Sequence, residues 1–230
     1  MRLLAIDTSA TALSAAIVEE ERLIGSFCLD TGKNHSLGLL PMLEALLANT
    51  QLTLSQMDAF AVTQGPGSFT GLRIGIATVK AWHDALHIPV IGVGSLAALG
   101  RAMDQPGLAV PVLDARRNEV YTTLCVDGVQ QEKDQALSPL ALCEKLSALP
   151  GPIAMAGDGL GPYFSLFQEK LGEKFRPVRP ERRLNMAAAA GMLALAKAKA
   201  GQFTPAQELL PTYLRLSEAE EKRLAAQTKA

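Results

Sequence analysis

Three short segments carry residue types at spacings that chemistry can use. Asp7-Thr8-Ser9 closes the apolar run Leu3-Leu4-Ala5-Ile6 and sets a carboxylate beside two hydroxyls, a group that can position a metal-bound phosphate. Asx and Ser/Thr turns use the same residues to satisfy the backbone alone, so either use is open to them. Gly65-Pro66-Gly67-Ser68-Phe69-Thr70-Gly71 lies between an apolar run and a helical pattern, where backbone N–H groups and the helix dipole can hold an anion. It is not a Walker-type loop, because Gly71-Leu72-Arg73 stands where Gly-Lys-Ser/Thr is needed, and the alternative is a tight strand-to-helix turn. Between Lys174 and Arg183, the five basic residues Lys174, Arg176, Arg179, Arg182 and Arg183 stand against Glu181, either touching a phosphate backbone or forming a solvated connector.

Other chemistries find less support. His83 and His87 are one helical turn apart near a helix end with no third ligand close in sequence, and His35 is isolated, so no metal site is expected. There is no Gly-x-Ser-x-Gly elbow and no Ser-His-Asp or Cys-His arrangement to single out, which leaves a hydrolase without a nucleophile and base. Cys28, Cys125 and Cys143 are odd in number, widely spaced and in apolar surroundings, and read as reduced core thiols. Lys and Arg total 22 against 23 Asp and Glu, a net charge of −1, so no global positive field favours nucleic acid and any RNA contact must be local. The apolar run behind Met1-Arg2 is too short for a signal peptide. No run reaches the roughly 18 apolar residues of a membrane span, and a cytoplasmic protein is expected.

The elements that must position these segments follow from periodicity. Residues 2–7, 13–18 and 23–29 read as an antiparallel meander, followed by a helix over 36–48 with Asn34 as cap, a buried strand over 59–63 and a helix over 70–86 capped by Ser68 or Thr70. A strand over 89–93 and a helix over 95–103 complete this part. Polar and helix-breaking residues at Met103-Asp104-Gln105-Pro106-Gly107 then mark a boundary. Past it the pattern restarts: strands over 109–113 and 120–126, a helix over 138–149, strand 153–156, helix 163–171, strand 174–177 and an alanine-rich helix over 184–200 ended by Gly201. The shared order predicts an α/β protein of duplicated architecture, with an N-terminal lobe at 1–104 and a C-terminal lobe at 105–230 that ends in a charged helical tail over 217–230.

Projected at roughly 100° per residue, the 70–86 helix collects Arg73, Lys80 and Asp84 in one narrow sector. Nearly everything else on it is apolar or small, which predicts burial on two sides. Gly71, Gly75 and Thr78 form a small-residue stripe that lets another helix approach closely. The preceding helix carries Leu37, Leu39, Leu40, Met42, Leu43, Leu46 and Leu47 with little charge beyond Glu44. Together they suggest a helical docking surface built from His35, Leu39, Met42, Leu43, Leu46, Gly71, Leu72, Gly75, Ile76 and Val79, which a charge at Ile76 should break. The alternative is that the sheet or the other lobe covers both helices.

From Gln64 through Gly75 the sequence closely resembles the bacterial TsaB (YeaZ) family. Leu4 to Ser9, His35 to Pro41, Leu113 to Tyr121, Gly157-Asp158-Gly159 and Pro211-Thr212-Tyr213-Leu214-Arg215 resemble it in order, so the likeness covers nearly the whole chain. The resemblance implies a two-lobed actin, Hsp70 and sugar-kinase-like (ASKHA) fold. It also implies a role in threonylcarbamoyl transfer to the adenosine 3′ of the anticodon in tRNAs that read codons beginning with A. In that role the chain would be a non-catalytic subunit that pairs with the paralogous transferase TsaD, is joined by the ATPase TsaE, forms a self-dimer when alone, and meets tRNA through the complex. The transferase's metal-binding histidine pair corresponds to Ser95 and Leu99, neither of which can replace a histidine ligand. Asp7-Thr8-Ser9-Ala10 lacks the glycine of the fold's first phosphate loop, and Asp114-Ala115-Arg116-Arg117 puts bulky side chains where the second has glycines. No cofactor is then obligatory. Asp7, Thr8, Ser9, Asp114, Gly157, Asp158 and Gly159 remain the residues for an ATP or ADP shared with partners in the assembled complex. The alternatives are an active small-molecule kinase or ATPase of the same fold, and a direct RNA-binding module using Lys174 to Arg183.

Overall fold

The computed structural model describes residues 1–32, 34–179 and 186–215. Its first sheet has the order β3-β2-β1-β4-β5, formed by β1 (Arg2–Asp7), β2 (Leu13–Glu19), β3 (Arg22–Leu29), β4 (Ala59–Gly65) and β5 (Val90–Gly94). β1 is central, antiparallel to β2 and parallel to β4. Leu3, Leu4, Ala5 and Ile6 are all buried, as expected of a strand covered on both faces. Leu4 and Ile6 join the core under α1 (His35–Thr50) and α2 (Phe69–Leu86), whereas Leu3 and Ala5 join the core of the opposite face.

The second sheet repeats the scheme as β10-β7-β6-β11-β12. β6 (Leu108–Arg116) is central, antiparallel to β7 (Glu119–Thr122) and parallel to β11 (Ile153–Ala156). β12 (Phe175–Pro177) and β10 (Gln135–Leu137) lie at its edges, and the hairpin of β8 (Cys125–Val126) and β9 (Val129–Gln130) pairs with the start of β6. The expected strand over 120–126 is thus split between β7 and β8. α4 (Pro139–Ser147) and α5 (Leu160–Leu171) share a core centred on Val110, Val112, Leu142, Met155 and Phe167.

α3 (Ser95–Met103) lies between the sheets, packing on β4 and β5 and on β6 and β9, and α6 (Met186–Lys199) packs on β1, β2 and α3. The Ala187 amide donates to Ser14 Oγ at 3.0 Å and Lys197 Nζ donates to the Gly92 carbonyl at 2.8 Å. The chain then stays with the first sheet: Thr204 bridges Val90, Leu209 is fully buried in the α1/α2 core, and the Thr212 amide donates to the Gln64 carbonyl at 2.6 Å. A helix placed in the second half by its position in the sequence therefore covers the first sheet. Residues 184 and 185 of that expected helix, and the expected tail over 217–230, lie outside the described residues.

Candidate ligand cleft and docking face

The ends of β1 and β6, the N-termini of α1 and α2 and the 211–215 segment surround a cleft of about 1110 Å³. Its floor comes from the β1–β2 turn, where Ser9, Ala10 and Thr11 face the β6–β7 turn. Asp158 joins the two: Oδ2 accepts the Thr11 amide at 3.0 Å and Oδ1 the Asp114 amide at 2.9 Å. Burial pushes the Asp158 carboxyl upward, partly countered by those two amides. Asp114 Oδ1 accepts the Arg116 amide at 2.8 Å, and Oδ2 pairs with the Arg116 guanidinium at 3.0 Å. Arg116, Arg117 and Asn118 all take left-handed conformations, with φ of 62°, 52° and 59°. Such backbone costs about 1–2 kcal/mol for each residue with a Cβ, so the turn is held by its surroundings, Asp114 among them.

The opposite wall is aromatic and cationic. Phe69 and Tyr213 stack with centroids 4.6 Å apart, the Arg73 guanidinium lies 3.9 Å from the centroid of the Phe69 ring, and Arg73 Nε donates to the Tyr213 hydroxyl at 3.1 Å. Arg215 reaches across to Glu119 at 2.6 Å. Arg73, Arg116, Arg117 and Arg215 thus face a cleft whose carboxylates, Asp114 and Asp158, are engaged by backbone amides. Sequence reasoning gave Arg73 and the 211–215 segment no role in a site. The signal that would have found them, the pairing of Phe69 with Tyr213, spans 144 positions, 213 − 69.

A family model described as TsaD, tRNA N6-adenosine threonylcarbamoyltransferase, matches residues 25–176. The tRNA threonylcarbamoyladenosine biosynthesis protein TsaB of Bacillus subtilis is 32% identical over 235 residues, covering 99% of this chain and all of that protein. The solved structure of YeaZ from Pseudomonas aeruginosa superposes with a TM-score of 0.75 at 32% identity, over 93% of this chain and 99% of that one. The chain belongs to the TsaB (YeaZ) family. A hexokinase from Thermus thermophilus, at TM-score 0.51 and 12% identity, shares the fold alone, the two-lobed α/β fold of the actin and sugar-kinase class.

Of the residues expected around a nucleotide, Ser9, Asp114 and Asp158 line the cleft of this TsaB-family chain, and the others stand behind it. Asp7 and Thr8 are buried. Asp7 Oδ1 accepts the Ser9 amide, the Ser9 hydroxyl and the Thr63 hydroxyl, and burial raises its carboxyl despite them. Gly157 and Gly159 let the loop lie against β6, where a Cβ would meet Val112 and Leu113 backbone. Ser95 accepts the Gly65 amide through its hydroxyl at 3.1 Å, and Leu99 is fully buried in the core.

The expected docking residues are corrected by their burial. Leu39, Met42, Leu43, Leu46, Leu72, Ile76 and Val79 are at most 5% exposed. All but Leu72 belong to the core between the two helices and the first sheet. A charge at Ile76 would therefore test folding and not docking. Gly71 and Gly75 admit Thr8, whose hydroxyl donates to the Gly71 carbonyl at 2.7 Å, instead of a second helix. His35 is half-buried at the cleft, its Nε2 donating to the Ala10 carbonyl at 2.8 Å. α2 is buried on one side only, and Arg73, Ala77 and Ala81 face solvent. What the helices do present outward is Leu37, 71% exposed, and Leu40, 56% exposed, with Pro41 beside them.

Proposed function

We propose that this chain is the non-catalytic subunit of a tRNA threonylcarbamoyladenosine-forming assembly, docking a TsaD paralogue through the outward faces of α1 and α2, with the ATPase TsaE joining the pair. The modified position is the adenosine 3′ of the anticodon in tRNAs reading codons that begin with A. The observation that carries the docking reading is the exposure of Leu37 and Leu40 on a helix whose other leucines are buried or partly buried. Kinship supports the choice of partner: relatives bear the name of that biosynthesis, and the transferase's own family model matches residues 25–176. A non-catalytic role is supported by the core positions of Ser95 and Leu99 and by the withdrawal of Asp7 from the cleft. In this reading residues 1–104 and 105–179 form two lobes, with Met186–Lys199 and the following strap returning to the first.

Light scattering of the chain alone and mixed with TsaD of the same organism tests this, alongside threonylcarbamoyl transfer to tRNA. Wild type should form a heterodimer with TsaD and a self-dimer without it. Leu37→Glu with Leu40→Glu should weaken both at least tenfold with an unchanged circular-dichroism melt, and transfer should fall in step. Normal assembly and transfer by that variant would place docking elsewhere; Mg-dependent ATP turnover by the isolated chain, lost in Asp7→Ala, would favour a kinase or ATPase.

A further inference from the structure

We propose that the cleft between the β1–β2 and β6–β7 turns binds a single-stranded RNA segment, its phosphates on Arg73, Arg116 and Arg117 and a base on the open side of Tyr213. Four guanidiniums face this cleft against two lining carboxylates, a local excess of positive charge in a chain whose net charge is −1. Of the four, Arg116 pairs with Asp114 and Arg215 with Glu119, while Asp158 holds the Thr11 and Asp114 amides. The helix ends at Asn34–Ser36 and Ser68–Thr70 add backbone dipoles of the same sign.

The origin of the cations fits a strand. The cleft of about 1110 Å³ lies at the upper end of the roughly 300–1,000 Å³ typical of small-molecule sites, and its cations come from three separate segments, α2, the β6–β7 turn and the 211–215 segment. Tyr213 is braced on one side by Phe69 and through its hydroxyl by Arg73, yet remains 38% exposed. A fixed aromatic ring beside a basic groove is the arrangement by which proteins hold unpaired nucleotides without reading their sequence. The choice of RNA over DNA rests on the tRNA-modification reading above. The basic run from Lys174 is a different surface, since none of its described residues lines the cleft.

Fluorescence anisotropy with a labelled, unstructured RNA of about 12 nucleotides tests the inference on the full chain and on its TsaD complex. Tyr213→Ala should weaken binding about tenfold, and Arg117→Ala, in an exposed turn, should reduce the salt dependence by about one unit of slope. Lys174→Ala should leave binding unchanged. Absence of RNA binding by both chain and complex would overturn the proposal. So would affinity that Tyr213→Ala and Arg117→Ala leave intact, or displacement of the RNA by stoichiometric AMP or ATP, which would make this a mononucleotide pocket. Both variants keep Leu37 and Leu40, so light scattering of the same samples reports pairing with TsaD separately from RNA binding.

Discussion

Asp7 Oδ1 collects three donors, one amide and two hydroxyls, in a site closed to solvent. Burial still disfavours the ionised form and raises the carboxyl above its ordinary value of 3.8. The folded state therefore holds the Asp7 proton more tightly than the unfolded chain, and the contribution of this group to stability falls as pH rises from about the unfolded value through the folded one. Asp7→Asn keeps an acceptor for Ser9 and Thr63 but does not ionise. Its stability relative to wild type should rise with pH across that window in urea melts, and parallel curves would contradict the raised carboxyl. Asp7→Ala strands the donors of Ser9 and Thr63 and should cost about 1–3 kcal/mol. In the sequence Asp7-Thr8-Ser9 could serve as a phosphate turn or a backbone turn. The partner that decides, Thr63, is 56 positions away, and periodicity carries no information about which strand will supply a hydroxyl.

At the scale of elements, α2 shows how a glycine can be fixed by one strand end. A Cβ at Gly71 would overlap the Thr8 carbonyl oxygen, backbone that cannot swing away, so Gly71→Ala should destabilise by about 1–3 kcal/mol or more. Gly161, in the first turn of α5, has nothing near its missing Cβ, and Gly161→Ala should be neutral or stabilising by up to about 1 kcal/mol. Thermal melts of the pair distinguish close approach from helix propensity, and equal shifts would remove the Thr8 argument. Helices and strands were legible because their apolar residues recur at the right period: the helix over 95–103 and the strand over 153–156 match α3 and β11 end to end. The docking residues were misread for the same reason. The most apolar face of an amphipathic helix is the one folding buries, so the residues with the strongest signal, Leu39, Met42, Leu43 and Leu46, were those least able to meet a partner.

Across the whole molecule, repetition of strand order was legible as two runs of strands and helices, but the return of α6 and the strap to the first sheet was not. α6 is apolar nearly all round, with alanines on every side, so nothing in its sequence says which sheet it covers. That return gives the last described residues a mechanical role. From Thr204 to Thr212 the strap is fastened along β5 and β4, and Arg215 then crosses to Glu119 on β7 and approaches the Ala115 carbonyl at 3.5 Å. Its two fastenings differ in kind. Leu209 is fully buried, so Leu209→Ala should cost about 2–5 kcal/mol through lost burial and a cavity. The Arg215–Glu119 pair is partly solvated, 22% and 36% exposed, and should contribute no more than about 1 kcal/mol. Arg215→Ala should therefore leave the melting temperature nearly unchanged while loosening the attachment of the β6–β7 turn to the strap. Hydrogen exchange of the Arg116–Tyr121 amides would register this as faster opening, with the amides of β1 and β4 unaffected. Unchanged exchange in that turn would mean that Asp158, bridging Thr11 and Asp114, is enough to hold the two sheets together at the cleft without the strap.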